Sequence, residues 1–391
     1  MFGDAFFQDP YPFYARMRET SPVRRVDGGR FPFWLITGYP EARQALADPT
    51  LSKDTSRYQH LLAGSGTPRD IAPAISRSLL TTDPPDHTRL RRPITRAFTA
   101  DMADRLTGRI EQIAAELVAG MVARGEADLV ADFAVPLPLT VICELLNVPA
   151  EHRPALHRWS ENLFLHGDHR IRDAASHHIA AYMTDLVTTR RTTPGDDLIS
   201  TLLDASEADP ALTGDEVVSL ASLIIVAGHE TTANLIANTA LATLSRPALL
   251  TDLHSTPETL PAIIDESLRF EAPLSIATLR FTTQPVTYAN THIPEAQPIM
   301  ISLAAANRDP HTFPSPDTFT PTHNPTPHLS FGRGPHYCPG AYLAKLETHI
   351  ALSTLLPTHP TLTQPPETLP WRKSRQMRSP QSLPVHWPHR P

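Results

Sequence analysis

Apolar residues recur with helical spacing along three long stretches, 101–125, 153–191 and 215–246, each nearly free of proline. The pattern predicts three long helices. The third opens with Thr213-Gly214-Asp215-Glu216, a capping box with a hydroxyl at the N-cap and a carboxylate three residues on. From Val217 to Val226 it is apolar nearly all round, which places it in the middle of the molecule. Ala227-Gly228-His229-Glu230-Thr231-Thr232 then interrupts the pattern, and Leu235, Ile236 and Leu241 resume it. Either the helix emerges into solvent at Glu230, or it opens locally and presents an acid and a hydroxyl to a buried cavity. Threonine hydroxyls that bond the carbonyl four residues back favour such a bend, and an acid beside a hydroxyl is a proton-delivery arrangement. Short strand-like runs at 33–37, 277–282 and 298–303 sit between turn-forming residues.

Proline changes the picture of the last part of the chain. It is dense from residue 307 onward and leaves a single proline-free run, 341–356, able to form a helix there. The chain therefore reads as mainly α with small β-sheets, ending in an irregular, proline-rich segment. Its 391 residues carry a net charge of -7, with no basic excess that would point to nucleic acid. Two cysteines exclude a disulfide scaffold. The first fourteen residues lack the basic and apolar regions of a secretory signal, and the apolar stretch 217–228 is too short to cross a bilayer. The expectation is a soluble, cytoplasmic protein with no membrane partner.

The run Phe331-Gly332-Arg333-Gly334-Pro335-His336-Tyr337-Cys338-Pro339-Gly340 makes a stiff non-helical loop that puts Cys338 just ahead of a helix. A helix N-terminus with free amides stabilises a thiolate. Such a cysteine could be a nucleophile, although His336 is poorly placed as its base. It could bind zinc, although Cys143 is remote and without ligand spacing. It could be an axial ligand to haem iron, shielded by Phe331 and Tyr337. Or it could be a free cysteine in a turn.

The Cys338 run resembles the haem-binding signature of the cytochrome P450 family. The Ala227–Thr232 run resembles that family's oxygen-activation motif, and Glu266-Ser-Leu-Arg269 its Glu-x-x-Arg pair, all in the family's order. The resemblance extends over essentially the whole chain. It implies a single domain over 1–391, with haem b held between the long central helix and the Cys loop. Cys338 would be the iron ligand and Phe331 would cover the Cys side of the ring. Thr231 and Glu230 would manage protons, with His229 a bystander. His87, Arg91, Arg280 and His336 would bind the haem propionates. Glu266 and Arg269 would form a buried structural pair, joined at the family's third position by His323. Pro339 stands where the family usually has an aliphatic residue with an N–H, so one backbone donor near the sulfur is missing.

The resemblance further implies a monooxygenase acting with O₂ on a mostly apolar substrate. Segments 54–75, 162–172, 274–278 and 378–383 match the family's pocket-lining regions. The runs ending at Lys53 and His87 resemble members that tailor macrolides and other polyketides, which suggests hydroxylation or epoxidation of a natural product. No flavin or iron–sulfur segment is present, so electrons would come from a ferredoxin and its reductase. The alternatives are a peroxide-driven peroxygenase, a haem protein that binds gas without turnover, and a cysteine hydrolase without haem.

Overall fold

The central helix runs Gly214–Leu244 in the computed structural model, which describes residues 3–27, 31–63, 69–207, 212–321 and 326–387. Its capping box forms as the sequence predicts: the Thr213 hydroxyl accepts from the Glu216 amide and the Glu216 carboxylate accepts from the Thr213 amide. Nearly every residue from Val217 to Thr243 is buried. The helix is long and apolar enough to cross a membrane by composition, but most of its apolar length lies inside the protein. Helices Pro136–Leu145, His169–Thr192, Leu260–Phe270 and Ala341–Leu355 pack around it. Two apolar clusters meet on it, one built with helix Ala100–Arg124 and the Cys-loop helix, the other with helix His169–Thr192 and helix Leu198–Glu207.

Stretch 153–191 forms two helices rather than one. Arg153–Phe164 ends before Leu165, and His169–Thr192 starts afresh with Asp168 as its N-cap, accepting from the Arg170 amide. A capping aspartate in the middle of a helical pattern is a start signal as well as a helix residue, and here the start wins.

The sheets are small. The larger one orders its strands as Val23–Asp27, Pro32–Ile36, Pro298–Ile301, Arg280–Thr282 and Leu51–Ser52. Its pairings are antiparallel except for Pro32–Ile36 with Pro298–Ile301. Strand Pro384–His386 pairs with Glu126–Asp128 and Thr361–Leu362. Two strands of the larger sheet position cations in the interior: Leu51–Ser52 leads directly into Lys53, and Arg280 opens its own strand.

Candidate active site

The backbone of the Cys338 loop is held by glycine geometry, packing and hydrogen bonds. Gly332 and Gly334 have φ of +73° and +74°, the left-handed region that favours glycine. Gly334 also presses on helix Tyr39–Ala47, where an added Cβ would lie 3.0 Å from the Ala47 Cα. The Cys338 amide donates to the Phe331 carbonyl at 2.9 Å and helix Ala341–Leu355 follows at once. Burial pushes the Cys338 thiol up, against the Gly340 amide and the Arg91 charge. The thiolate stabilisation expected from the helix terminus is present but outweighed by desolvation.

Phe331 and Cys338 line one cavity together with Gly228, Thr231 and Thr232 of the central helix. Most of its wall is aliphatic, including Leu79, Ile94, Ile224 and Leu274. Glu347 also reaches this wall. Its Oε2 is buried without a partner, and burial pushes its carboxyl up to about 8. Of the four segments matched to substrate-pocket regions, 274–278 lines the cavity through Leu274, Ala277 and Thr278. The described residues of the other three lie outside it. Arg378 shows why: it donates to Glu271, Phe7 and Gln8 and is packed over Trp371.

The central helix does not open at Gly228. It continues as α-helix, with the Thr231 hydroxyl donating to the Ala227 carbonyl at 2.8 Å and the Thr232 hydroxyl to that of Gly228 at 3.2 Å. Gly228 has a packing reason instead: a Cβ there would stand 2.9 Å from Ile142 Cδ1 on helix Pro136–Leu145. Thr231 faces the cavity; Glu230 does not. Glu230 is buried away from it, accepting from Arg372 at 2.8 Å and lying 3.4 Å from His157 and 3.5 Å from His229. Burial opposes ionisation, yet the two histidines and the Arg372 guanidinium hold this carboxyl well below the usual range. The solvent-exposed reading of Glu230 is thus excluded, and so is a direct place on the cavity wall.

His87 and Arg91 of helix Asp86–Ala97 converge with Arg280 and His336 from two other segments, and Lys53 joins them. The His87 and His336 rings are 4.1 Å apart. Burial, followed by Lys53, His87, Arg280 and Arg91, lowers His336 to about 2. Burial lowers Arg280 to about 10 and takes Lys53 well below its usual value. Among the described residues the acid facing this group is Asp83, which accepts from the Lys53 amide at 2.8 Å and from the Ser52 hydroxyl. With Lys53 in its charged form, Lys53, Arg91 and Arg280 against Asp83 leave two positive charges unmatched. His87 Nε2 and His336 Nδ1 are buried with no partner. Two missing anions, an apolar cavity and one rigid cysteine are what a haem with two propionates would supply and require, so the residues present fit that group.

Glu266 and Arg269 form a buried bidentate pair, 2.7 Å at each contact, and Arg269 also donates to the carbonyls of Asn307, Pro316 and Thr318. His323, matched to the third place in this network, lies outside the described residues. Sequence reasoning missed Lys53, Arg372 and His157. Lys53 follows a strand and Arg372 sits in the proline-rich tail, and neither has a local pattern that points to a site.

A family model described as cytochrome P450 matches residues 248–383. Cytochrome P450 107B1 of Saccharopolyspora erythraea is 42% identical over 98% of this chain and 96% of its own. The 6-deoxyerythronolide B hydroxylase of the same organism is 38% identical over 98% and 97%. Among solved structures, the tirandamycin C-bound P450 monooxygenase TamI superposes with a TM-score of 0.92 at 38% identity, covering 99% of each chain.

Proposed function

The chain belongs to the cytochrome P450 family of haem monooxygenases, and from that premise we propose that it hydroxylates or epoxidises a mostly apolar, polyketide- or macrolide-like intermediate with electrons delivered by a ferredoxin. The observation that carries this reading is the aliphatic cavity shared by Cys338, Thr231 and Leu274. Its hydroxyls, from Thr231, Thr232, Thr278 and Ser330, are few against the aliphatic wall, which suits a large apolar skeleton with scattered oxygens. Relatives named for 6-deoxyerythronolide B hydroxylation and for bound tirandamycin C point to the same substrate class.

Thiolate-bound haem supplies oxygen activation, because donation from the sulfur favours O–O cleavage. Cys338 would hold it. Arg91, Arg280 and Lys53, with His87 and His336, would hold its propionates. The apolar wall excludes water from the reacting carbon and positions the substrate by shape. Thr231 keeps a proton at Oγ1 on the wall; a χ1 rotation away from the Ala227 carbonyl turns that donor toward the cavity. Glu230 lies one residue earlier and points elsewhere, so it exchanges protons with the cavity only when its carboxylate lets go of Arg372.

The test is a panel of polyketide lactones and fatty acids, read first by the haem absorbance shift. Shifting compounds are then assayed with ferredoxin, reductase and NADPH. A mono-oxygenated product from a lactone, dependent on all three, is expected. Equal turnover with hydrogen peroxide alone would make the protein a peroxygenase, and CO binding with no product from any compound would make it a gas-binding protein.

A further inference from the structure

We propose that His157, His229 and Glu230 form a binding site for a divalent transition ion of the zinc type, and that occupancy withdraws Glu230 from proton delivery; the second half rests on the monooxygenase reading above. His157 comes from helix Arg153–Phe164, and His229 and Glu230 from the central helix. Their three ligand atoms lie within 4.8 Å of one another. The two edges that meet at Glu230 Oε1 measure 3.4 and 3.5 Å. Tetrahedral zinc with bonds of ~2.0–2.1 Å places its ligands roughly 3.3–3.4 Å apart, so both edges already suit it.

The proton inventory supports the same assignment. His229 Nδ1 lies 2.6 Å from the Ile225 carbonyl, which can only accept, so Nδ1 carries the hydrogen. Nε2 therefore faces the same Glu230 oxygen as His157 Nδ1, and a cation there would take the place of the protons by which the two histidines hold that carboxylate ionised. His229 Nε2, Glu230 Oε1 and His157 Nδ1 are all buried atoms with no hydrogen-bond partner. A cation among them would satisfy all three. The outer contacts are those that orient metal ligands: the other nitrogen of His229 donates to a backbone carbonyl, and the other oxygen of Glu230 accepts from Arg372.

Two imidazoles and one carboxylate suit zinc or its neighbours and not calcium or magnesium, which want oxygen ligands. His229 is fully buried, whereas the His157 side chain is 29% exposed and forms the side open to solvent. Arg372 repels an incoming cation. Glu161 on the His157 helix lies 3.8 Å from the same guanidinium, more exposed than Glu230, and offers it a second carboxylate. A water would complete the coordination.

Haem-loaded protein is dialysed against a zinc chloride series and bound zinc is measured by elemental analysis. The variants are His157→Ala, His157→Gln, which keeps the polar bulk, and His178→Ala, a control whose ring stacks on Trp159 instead. One saturable zinc per chain is expected in the parent and in His178→Ala. Both His157 variants should bind it at least tenfold more weakly. Equal affinity in parent and His157 variants, or no saturable site in the parent, overturns the proposal. In the second arm zinc should lower product formed per NADPH in the parent, reversibly with EDTA. The His157 variants, each compared with its own zinc-free value, should not respond. Zinc bound through His157 with unchanged coupling overturns the inhibitory half. The dialysis arm needs no substrate, so failure of the metal site and failure of the monooxygenase reading are separate results.

Discussion

Lys53 is an amine at 2% exposure with the Thr278 hydroxyl as its side-chain partner, and burial and the neighbouring Arg280 both oppose its charged form. A buried cation of this kind costs the haem-free protein stability and repays it only when an anion arrives. Lys53→Met should therefore act with opposite signs on the two forms. The haem-free chain should gain about 1 kcal/mol in urea melts, while haem transfer to apomyoglobin should quicken about tenfold, equivalent to ~1.4 kcal/mol. Unchanged haem transfer would take Lys53 out of the propionate set. Cys338→Ser should remove the red-shifted ferrous–CO band altogether, because a largely protonated alcohol is a poor ligand for haem iron; a surviving thiolate-type band would place the ligand elsewhere. Thr231→Ala should leave substrate binding near normal and lower product per NADPH several-fold, since Oγ1 is a proton-bearing atom of the central helix on the wall; an unchanged ratio would leave Thr231 with a helical role only. Cys338 and Thr231 can be found from sequence because their signals are local: glycine and proline around one cysteine, polar residues inside an apolar helix. Lys53, His157 and Arg372 cannot, because each gains its role from residues far away along the chain, and burial of a charge leaves no mark on its own neighbours.

Periodicity locates the helices, and a single chemical signal decides one boundary against it. Residues 153–191 keep their helical spacing through a break that Asp168 creates by capping the second helix. The polar interruption at 227–232 suggests an opening of the central helix, yet the helix continues. Spacing along one element cannot reveal that Gly228 faces Ile142 on another. The helix–helix contact makes a prediction at this scale. Gly228→Ala gains up to ~1 kcal/mol in helix propensity, but the new methyl meets Ile142 Cδ1 and Cγ1, each 2.9 Å away, and overpacking costs ~1–3 kcal/mol. The substitution should cost about 1 kcal/mol in the parent. In an Ile142→Ala background, where the obstructing atoms are gone, it should be neutral or stabilising. A double-mutant cycle by urea unfolding measures the difference; a coupling energy near zero would show that the two helices adjust freely at this point.

At the scale of the whole molecule, net charge and local charge point in different directions. The chain carries -7, which would repel an acidic electron-transfer protein. Basic residues nevertheless gather on helix Asp86–Ala97 and the Cys loop. The structure sorts them. Arg89 is engaged by Glu216 and Asp86, and Lys345 by Asp265, so neither presents free charge. Arg92, Arg96 and Arg333 are exposed, and no ion pair is seen for them among the described residues. We propose these three, carried on the helix that bears His87 and Arg91 and on the Cys loop, as the charges that dock a ferredoxin. Fields beyond ~8–10 Å are screened at physiological salt, so a partner near this patch senses the arginines more than the distant acids. Rim charges act mainly on encounter rate. Arg92→Glu should therefore slow reduction by ferredoxin about five- to tenfold at low salt, and parent and variant should converge as salt rises. Substrate affinity should not change, because Arg92 does not line the cavity. Arg89→Glu is the instructive contrast: it breaks the ion pair at the capped end of the central helix and should lower stability whatever the electron donor. Stopped-flow reduction over a salt series, with urea melts of both variants, separates the two effects. Equal low-salt rates for parent and Arg92→Glu would put the docking surface on another face.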